Sequence, residues 1–119
     1  MAKNLGVTVL LDFYGEMLTE KQRSFLDYYY NDDLSLSEIA ENEGITRQGV
    51  RDAIKRAETQ LFDMEKKLGI AERAKRTKDS LLAIEHCADQ ISEFNMNSAL
   101  SKEINDEIIK IKSVISSFE

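Results

Sequence analysis

Basic and amide side chains recur at helical spacing in the middle of the chain, at Arg47, Gln48, Arg51 and Lys55. Residues three and four positions apart lie on one face of an α-helix. In the major groove of DNA, arginine pairs with guanine, glutamine pairs with adenine and lysine contacts phosphate. Together with Arg56, these side chains are the candidate DNA-binding residues.

The segment that must position these residues has the layout of a helix-turn-helix. Ser35 and Glu38 can form a capping box at the start of a first helix, and Gly44 allows the left-handed backbone that ends it. Thr46 is placed to cap a second helix. The apolar residues of this second helix recur at three- and four-residue spacing and predict one buried stripe, formed by Val50, Ile54, Ala57 and Leu61. Such a layout holds a helix in the major groove.

Two more helices are predicted before this segment. Residues 4–17 are rich in apolar side chains and predict a first helix, with a short strand as the alternative. Thr19 and Gln22 predict a second capping box. The buried face of the helix that follows is predicted at Phe25, Leu26 and Tyr29, and the helix is predicted to break at Asn31, Asp32 and Asp33. Tyr28, Tyr29 and Tyr30 could stack on bases, but core packing is the favoured interpretation.

Two long amphipathic helices are predicted after Gly69, which should end the helix-turn-helix at Leu68. The first covers residues 71–94, with apolar positions at Leu81, Ile84, Ala88 and Ile91. A joint at Asn95, Met96 and Asn97 leads to the last helix. Its heptad seam starts at Leu100 and supplies the candidate dimerisation residues Ile104, Ile108, Ile111, Ile115 and Phe118.

Isolated helices of this length are marginally stable in water, so the last two must pack on the first domain, on each other or on a second copy. We predict a helical hairpin that also builds a homodimer. The domains are then a helix-turn-helix domain at residues 1–70 and a C-terminal extension at residues 71–119, which serves packing and dimerisation.

Composition limits the class of protein. A chain of 119 residues with 42% hydrophobic content can build one helical core. The net charge of -6 argues against non-specific coating of nucleic acid, which needs a surplus of Lys and Arg. Residues 46–56 nevertheless carry four basic side chains and one acidic side chain, so DNA binding is expected to be local.

Several other classes of function are not expected. The single cysteine, Cys87, and the single histidine, His86, cannot build a disulfide or a soft metal site and fit a reducing cytosol. No segment resembles a signal peptide or a membrane span, so we expect a cytoplasmic protein without membrane insertion. The carboxylates show no catalytic spacing. We therefore expect no enzyme, no cofactor, no metal and no small-molecule substrate.

A second basic cluster lies near the start of the long helix, at Arg73, Lys75, Arg76 and Lys78. Such clusters are usually a solvated helix face. The alternative is that the cluster extends the DNA footprint.

The sequence L-T-E-K-Q-R-S-F-L-D-Y-Y-Y, followed by L-S-L-S-E-I-A-E-N-E-G-I-T-R-Q-G-V-R-D-A-I-K-R-A, resembles region 4 of bacterial sigma factors, which reads the promoter −35 element. The resemblance covers residues 17–68. The whole chain is most similar to the YlxM-like family of small helix-turn-helix proteins, which are acidic and add two C-terminal helices. It implies an all-α fold, in which a sigma region 4-like bundle is followed by a helical hairpin.

The resemblance also assigns positions. Arg47, Gln48, Arg51 and Lys55 fall where sigma-like recognition helices contact bases and phosphates, and the packing positions of the motif are matched by Ile39, Ala40, Ile45, Val50 and Ile54. Two positions depart from the pattern. Gly49 stands where a larger polar residue is expected, and Asp52 places a negative charge toward any nearby phosphate.

Two functions are therefore considered. The first is a DNA-binding regulatory protein with a helix-turn-helix lacking a wing, which acts as a homodimer on double-stranded DNA. The resemblance implies that it takes part in the signal recognition particle pathway, because genes of the family lie beside those for the particle's GTPase and its receptor. The alternative is a protein or ribonucleoprotein adaptor of that machinery without DNA binding, which would use its acidic surface or its last helix.

Overall fold

The computed structural model describes residues 3–118, and most of them are helical. The helices are α1 (Gly6–Tyr14), α2 (Glu20–Leu26), α3 (Leu36–Glu43), α4 (Arg47–Leu68), α5 (Ile70–Phe94) and α6 (Lys102–Ser116). A 3₁₀ turn at Gly15–Met17 and wider π turns at Asp27–Asn31 and Asn95–Ala99 extend α1, α2 and α5. The prediction of an all-α helix-turn-helix fold is confirmed. The alternative of a strand near the N-terminus is wrong, because α1 occupies that segment.

The chain divides into two compact units, Met1–Glu72 and Arg73–Glu119. The first unit is built around α4, which is contacted by α1, α2 and α3. The predicted stripe is confirmed, because the residues that share it are all 0% exposed: Val50, Ile54, Ala57 and Leu61. Burial of a Val, Ile or Leu side chain stabilises a fold by about 1.5–3 kcal/mol. This stripe is therefore the centre of the core.

The helix ends of the first unit have the chemistry that the sequence predicts. Thr19 forms a capping box with Gln22, and Ser35 forms one with Glu38. Gly44, which ends α3, has a φ of 68°, in the left-handed region where glycine lacks the steric penalty of other residues. Gly69 ends α4 in the same way, with a φ of 63°. The predicted helix boundaries at these positions are confirmed.

The three consecutive tyrosines contribute to the core. Tyr29 is buried, and its ring meets the Tyr30 ring edge-on at 5.2 Å between centroids. The Tyr30 hydroxyl donates a hydrogen bond to Glu58 on α4. Burial, together with this hydrogen bond, raises the pKa of Tyr30 to about 12. Tyr28 is half-buried and also packs against the core, so the core interpretation of this segment is confirmed.

A cluster of hydrogen bonds caps the first turn of α5. The Glu65 carboxylate accepts hydrogen bonds from the Tyr14 hydroxyl at 2.6 Å and from the backbone N–H groups of Ala71 at 3.0 Å and Glu72 at 3.1 Å. The Ile70 N–H donates to the Tyr14 hydroxyl oxygen at 3.1 Å. These contacts satisfy backbone donors that the first turn of a helix leaves unpaired. Glu65 and Tyr14 thus act as the cap of α5.

In the second unit, the chain reverses direction after α5. The predicted joint at Asn95, Met96 and Asn97 lies further on: helical structure continues through the π turn, and the reversal falls at Leu100, which has a φ of 47°. Asn95 is buried. Its Nδ2 atom donates to the Ser101 carbonyl at 2.9 Å, and its Oδ1 atom accepts from the Ser101 N–H at 2.8 Å. The asparagine thereby holds the turn together.

The two helices of this unit form a hairpin. Lys112 on α6 forms an ion pair with Asp89 on α5, with 2.6 Å between Nζ and Oδ1. The apolar residues buried in the unit are Ala88, Ile108 and Ile115. The hairpin therefore covers only part of the apolar surface that the sequence provides.

Replacing Gly44 tests the turn of the helix-turn-helix. A Cβ atom at this position would have no neighbour within 4 Å, so the cost of Gly44→Ala is set by the left-handed backbone alone. We expect the free energy of unfolding to fall by about 1–2 kcal/mol in Gly44→Ala, as measured by urea denaturation. Gly44→Asn is the control and should lose less, because asparagine tolerates this conformation. Equal stability of Gly44→Ala and the wild type would contradict this account.

Acid titration tests the cap of α5. The hydrogen bond from Tyr14 lowers the pKa of Glu65, so the stability that this carboxylate contributes is complete above its ordinary pKa and is lost as the pH falls through the lowered pKa. Glu65→Gln should therefore be less stable than the wild type at neutral pH, and the difference should shrink in acid. The measurement is the urea midpoint at a series of pH values. Glu41→Gln, on the exposed side of α3, is the control, and a pH-independent difference for Glu65→Gln would contradict the assignment.

Candidate nucleic-acid interface

The turn between α3 and α4 sets the position of the first turn of α4. The Ile45 N–H donates to the Ala40 carbonyl at 3.1 Å, which closes the turn around Gly44. The Thr46 hydroxyl then accepts a hydrogen bond from the Gly49 N–H at 3.0 Å and caps α4 as predicted. The first candidate residue, Arg47, follows directly after this cap.

Most of the candidate side chains face the solvent. Arg47, Gln48, Lys55 and Arg56 are exposed, and Arg51 is half-buried. Within residues 3–118, no hydrogen bond or ion pair engages the side-chain cations of Arg47, Lys55 or Arg56. Each of these three cations on α4 is therefore available to an external acceptor.

Gln48 has a partner on its own helix. Its Nε2 atom donates to Oδ1 of Asp52 at 3.0 Å, one helical turn further on. Pairing of the amide with a base edge would require this exposed bond to break. Because such surface contacts are worth a fraction of a kcal/mol, the exchange is energetically accessible. Asp52, whose negative charge would repel a nearby phosphate, therefore also orients Gln48.

Arg51 lies at the boundary between core and surface. Its Nε atom is buried without a hydrogen-bond partner. The sequence placed Arg51 on the outer face together with Arg47. That pattern could not reveal the partial burial, which depends on how α4 packs on its neighbours.

Gly49 occupies the third position of α4, and its N–H donates to the Thr46 cap. A Cβ atom here would lie 3.1 Å from the Thr46 hydroxyl oxygen and 3.7 Å from Cδ1 of Ile45. The same position carries a side chain in the two capping boxes, at Gln22 and Glu38, so the cap of α4 does not require glycine. The absence of a side chain leaves the surface beside Ile45 uncovered.

The electrostatics of the region favour an anion. The first turn of α4 contains no acidic residue, and the start of a helix carries a partial positive charge from its aligned peptide dipoles. The basic side chains of residues 46–56 add to this field, although the chain as a whole has a charge of -6. Residues 46–56 therefore form a local basic segment in a chain that is acidic overall.

The second basic cluster lies on α5, in the second unit. Its side chains are all exposed, at Arg73, Lys75, Arg76 and Lys78. Exposure is compatible both with a solvated helix face and with a contact to phosphate. The extension of the DNA footprint by this cluster stays a prediction.

Other kinds of site find little support in the part of the chain that the structure describes. That part contains no group of three or more His, Cys, Asp and Glu residues that could hold a metal ion. Cys87 is a free and exposed thiol. Among the helices of residues 3–118, none has the length and apolar content needed to span a membrane.

Comparison with known proteins identifies the family. The family model described as "Putative helix-turn-helix protein, YlxM / p13 like", UPF0122, matches residues 1–90. A UPF0122 protein of Clostridium kluyveri is 49% identical over 80 residues, which cover 67% of this chain and 72% of that protein. A UPF0122 protein of Thermoanaerobacter sp. is 42% identical over 107 residues, which cover 90% of this chain and 85% of that protein. The chain therefore belongs to the UPF0122 family of YlxM-like helix-turn-helix proteins.

Proposed function

We propose that this protein is a regulatory DNA-binding protein that inserts the start of α4 into the major groove. The observation that carries the proposal is the set of exposed cations on α4, at Arg47, Lys55 and Arg56, none of which has a polar partner within residues 3–118. They follow a helix-turn-helix whose turn and cap hold α4 in place. This arrangement matches the way in which helix-turn-helix proteins present a recognition helix.

The position of each residue on α4 suggests its role. Arg47 and Gln48 lie in the first turn, which enters deepest into the groove in this binding mode and can reach base edges. Lys55 and Arg56 lie two turns further on, where they suit contacts to phosphates, which position the protein. Arg51 lies between the two groups. Its buried Nε keeps the guanidinium close to the helix, so its remaining donors are the ones available to DNA.

Charge sets a limit on affinity. Few cations per chain can displace counterions from DNA, and the remaining surface is acidic. A single copy should therefore bind weakly, and its binding should fall steeply with salt. Two copies acting on two half-sites would double the contacts.

We propose that the second unit supplies this dimer. On α6, Ile108 and Ile115 are each 5% exposed, whereas Ile104 and Ile111 remain 37% and 36% exposed. Phe118, which follows the end of α6, is 65% exposed. On α5, Ile84 and Ile91 are also about half exposed. A second copy that packs on these residues would bury them in a helical bundle. The same symmetry would place two copies of α4 on a two-fold related operator.

The pathway is the finer part of the proposal. The gene neighbourhood that the YlxM-like resemblance implies supports a role in the signal recognition particle pathway, in the cytoplasm, where the DNA lies. The alternative is an adaptor of that machinery that does not bind DNA. The net charge of -6 favours it, because an acidic surface suits a basic partner. The exposed apolar residues of α6 favour it as well, because they suit a protein surface rather than DNA.

Selection from a random duplex library with the purified protein tests DNA binding. We expect recovery of a common sequence, followed by salt-dependent binding in fluorescence anisotropy. Lys55→Ala should reduce the slope of log K against log salt by about 1, because one phosphate contact is lost. Arg47→Ala should weaken binding by about 1–3 kcal/mol and relax specificity at one base position.

Lys66→Ala is the matched control, since Lys66 is an exposed lysine in the last turn of the same helix. It should leave both the slope and the specificity unchanged. Absence of duplex binding at low salt would refute the DNA proposal. Recovery of signal recognition particle components by the same protein after nuclease treatment would then support the adaptor.

Paired isoleucine substitutions on α6 test the dimer. Ile111 belongs to the seam, whereas Ile109 points away from it and is 58% exposed. Ile111→Asp should weaken self-association by about tenfold or more, because it places a charge in an apolar interface, and Ile109→Asp should leave it unchanged. The measurement is the mass in solution by analytical ultracentrifugation. A wild-type protein that stays monomeric at high concentration would exclude the dimer.

A further inference from the structure

A groove lies between α2 and the start of α4, on the flank of the proposed DNA-binding face. Its volume is about 320 Å³. The side chains of Phe25, Ile45 and Ala53 give it an apolar lining, and Gly49 contributes a wall without a side chain. This volume lies at the lower end of the range for ligand sites, so it has room for one or two large side chains rather than for an entire cofactor.

The rim of the groove is positively charged. Lys21 and Arg56 both line it, and no acidic residue does. The Lys21 ammonium lies 5.8 Å from the centre of the Phe25 ring, which places a cation beside the apolar surface. Within the described residues, neither cation forms an ion pair with a carboxylate. The rim therefore offers two charges to an external acidic group.

A second cavity continues the groove along α2. Its volume is about 340 Å³, and it shares Lys21 and Phe25 with the first. Glu20 and Glu43 also line this second cavity, beside Tyr28. The combined groove is thus basic at the α4 end and acidic at the other end. This polarity would orient a bound segment.

We propose that this groove is a docking site for a peptide segment of a partner protein, in which a bulky apolar side chain is flanked by carboxylates. The apolar side chain would fill the space over Ile45 and Ala53, beside Gly49, and the carboxylates would pair with Lys21 and Arg56. Charge complementarity of this kind selects partners and sets their orientation. The site does not depend on DNA binding, and it goes beyond the regulatory function proposed above.

The apolar lining distinguishes this occupant from DNA. A phosphate backbone could satisfy the two cations, but it has no large apolar group to place over Ile45 and Ala53. Covering that surface is favourable by about 25 cal/mol per Å² of apolar area. An aromatic or large aliphatic side chain supplies this contribution, and an adjacent carboxylate supplies the charge.

The site also has a consequence for regulation, and this step rests on the proposed function. Arg56 lines the groove and is also a candidate phosphate contact. A bound acidic peptide would neutralise Arg56 and lie beside the DNA-facing side of α4. Peptide and DNA are therefore expected to compete.

Selection from a phage-displayed library of random peptides, with the purified full chain as bait and no DNA present, tests the docking site. The expected result is enrichment of peptides in which Asp or Glu adjoins Phe, Trp, Leu or Met. An enriched peptide is then synthesised with a fluorescent label, and its binding is measured by anisotropy. Its contacts are mapped by amide shifts on ¹⁵N-labelled protein, where Phe25, Ile45 and Gly49 should respond.

Variants sharpen the result. Lys21→Glu and Arg56→Glu should each weaken the peptide by about tenfold, because each reverses a charge on the rim. Ala53→Trp should abolish binding by filling the groove, and circular dichroism checks that each variant is folded. Lys66→Glu, on α4 but outside the groove, is the control and should leave the affinity unchanged. If a variant unfolds, the amide shifts of the wild-type protein still show where the peptide binds.

Three outcomes would overturn the proposal. In the first, no acidic and apolar peptide is enriched, or the shifts map to another surface. In the second, Ala53→Trp abolishes self-association and no peptide binds, so that the occupant is a second copy. In the third, the rim variants weaken a selected duplex and no peptide competes with it, so that the groove belongs to the DNA surface. Because peptide binding is measured without DNA, its result does not depend on whether the proposed DNA binding is correct. Failure of one proposal can therefore be distinguished from failure of the other.

Discussion

The rotation of α4 about its own axis is fixed by the burial of one apolar stripe. Val50, Ile54, Ala57 and Leu61 are all fully buried, and α1, α2 and α3 pack around them. Because side chains follow the 3.6-residue period of the helix, burying this stripe leaves Lys55 and Arg56 outside. Burial of the stripe contributes several kcal/mol at about 1.5–3 kcal/mol for each large side chain. The packing of the stripe therefore also determines where Arg51 lies.

Features that depend only on residues close together in the sequence could be predicted. The capping boxes at Thr19 and Ser35 and the end of α3 at Gly44 need only residues within four positions. The cap of α5 is different: Tyr14 and Glu65 are 51 positions apart, and no local pattern joins them. The candidate interface divides in the same way. Exposure of the cations follows from helical periodicity, whereas the half-burial of Arg51 depends on the packing of other elements.

The second unit shows a limit of heptad patterns. The heptad pattern of the seam does not distinguish buried from exposed apolar positions. In the described part of the chain, Ile108 and Ile115 are buried, while Ile111 and Phe118 remain exposed. Two helices can cover only one side of each other, so a seam on a hairpin has an inner and an outer part. The period alone cannot separate contacts within a chain from contacts between chains. The burial of Asn95 could not be predicted either, because an asparagine at the end of a helix is usually exposed. Its side chain forms hydrogen bonds with both the N–H and the carbonyl of Ser101.

Gly49 follows the candidate DNA-binding residue Gln48 on α4 and also lines the groove beside α2. Glycine within a helix costs about 1 kcal/mol relative to alanine. The Thr46 cap does not account for it, because Gln22 and Glu38 carry side chains at the same position of the two capping boxes. What the missing side chain does provide is an open wall of the groove. Gly49 thus removes one potential contact of α4 with bases and leaves an apolar recess beside Arg56, where an acidic partner and a phosphate would require the same cation.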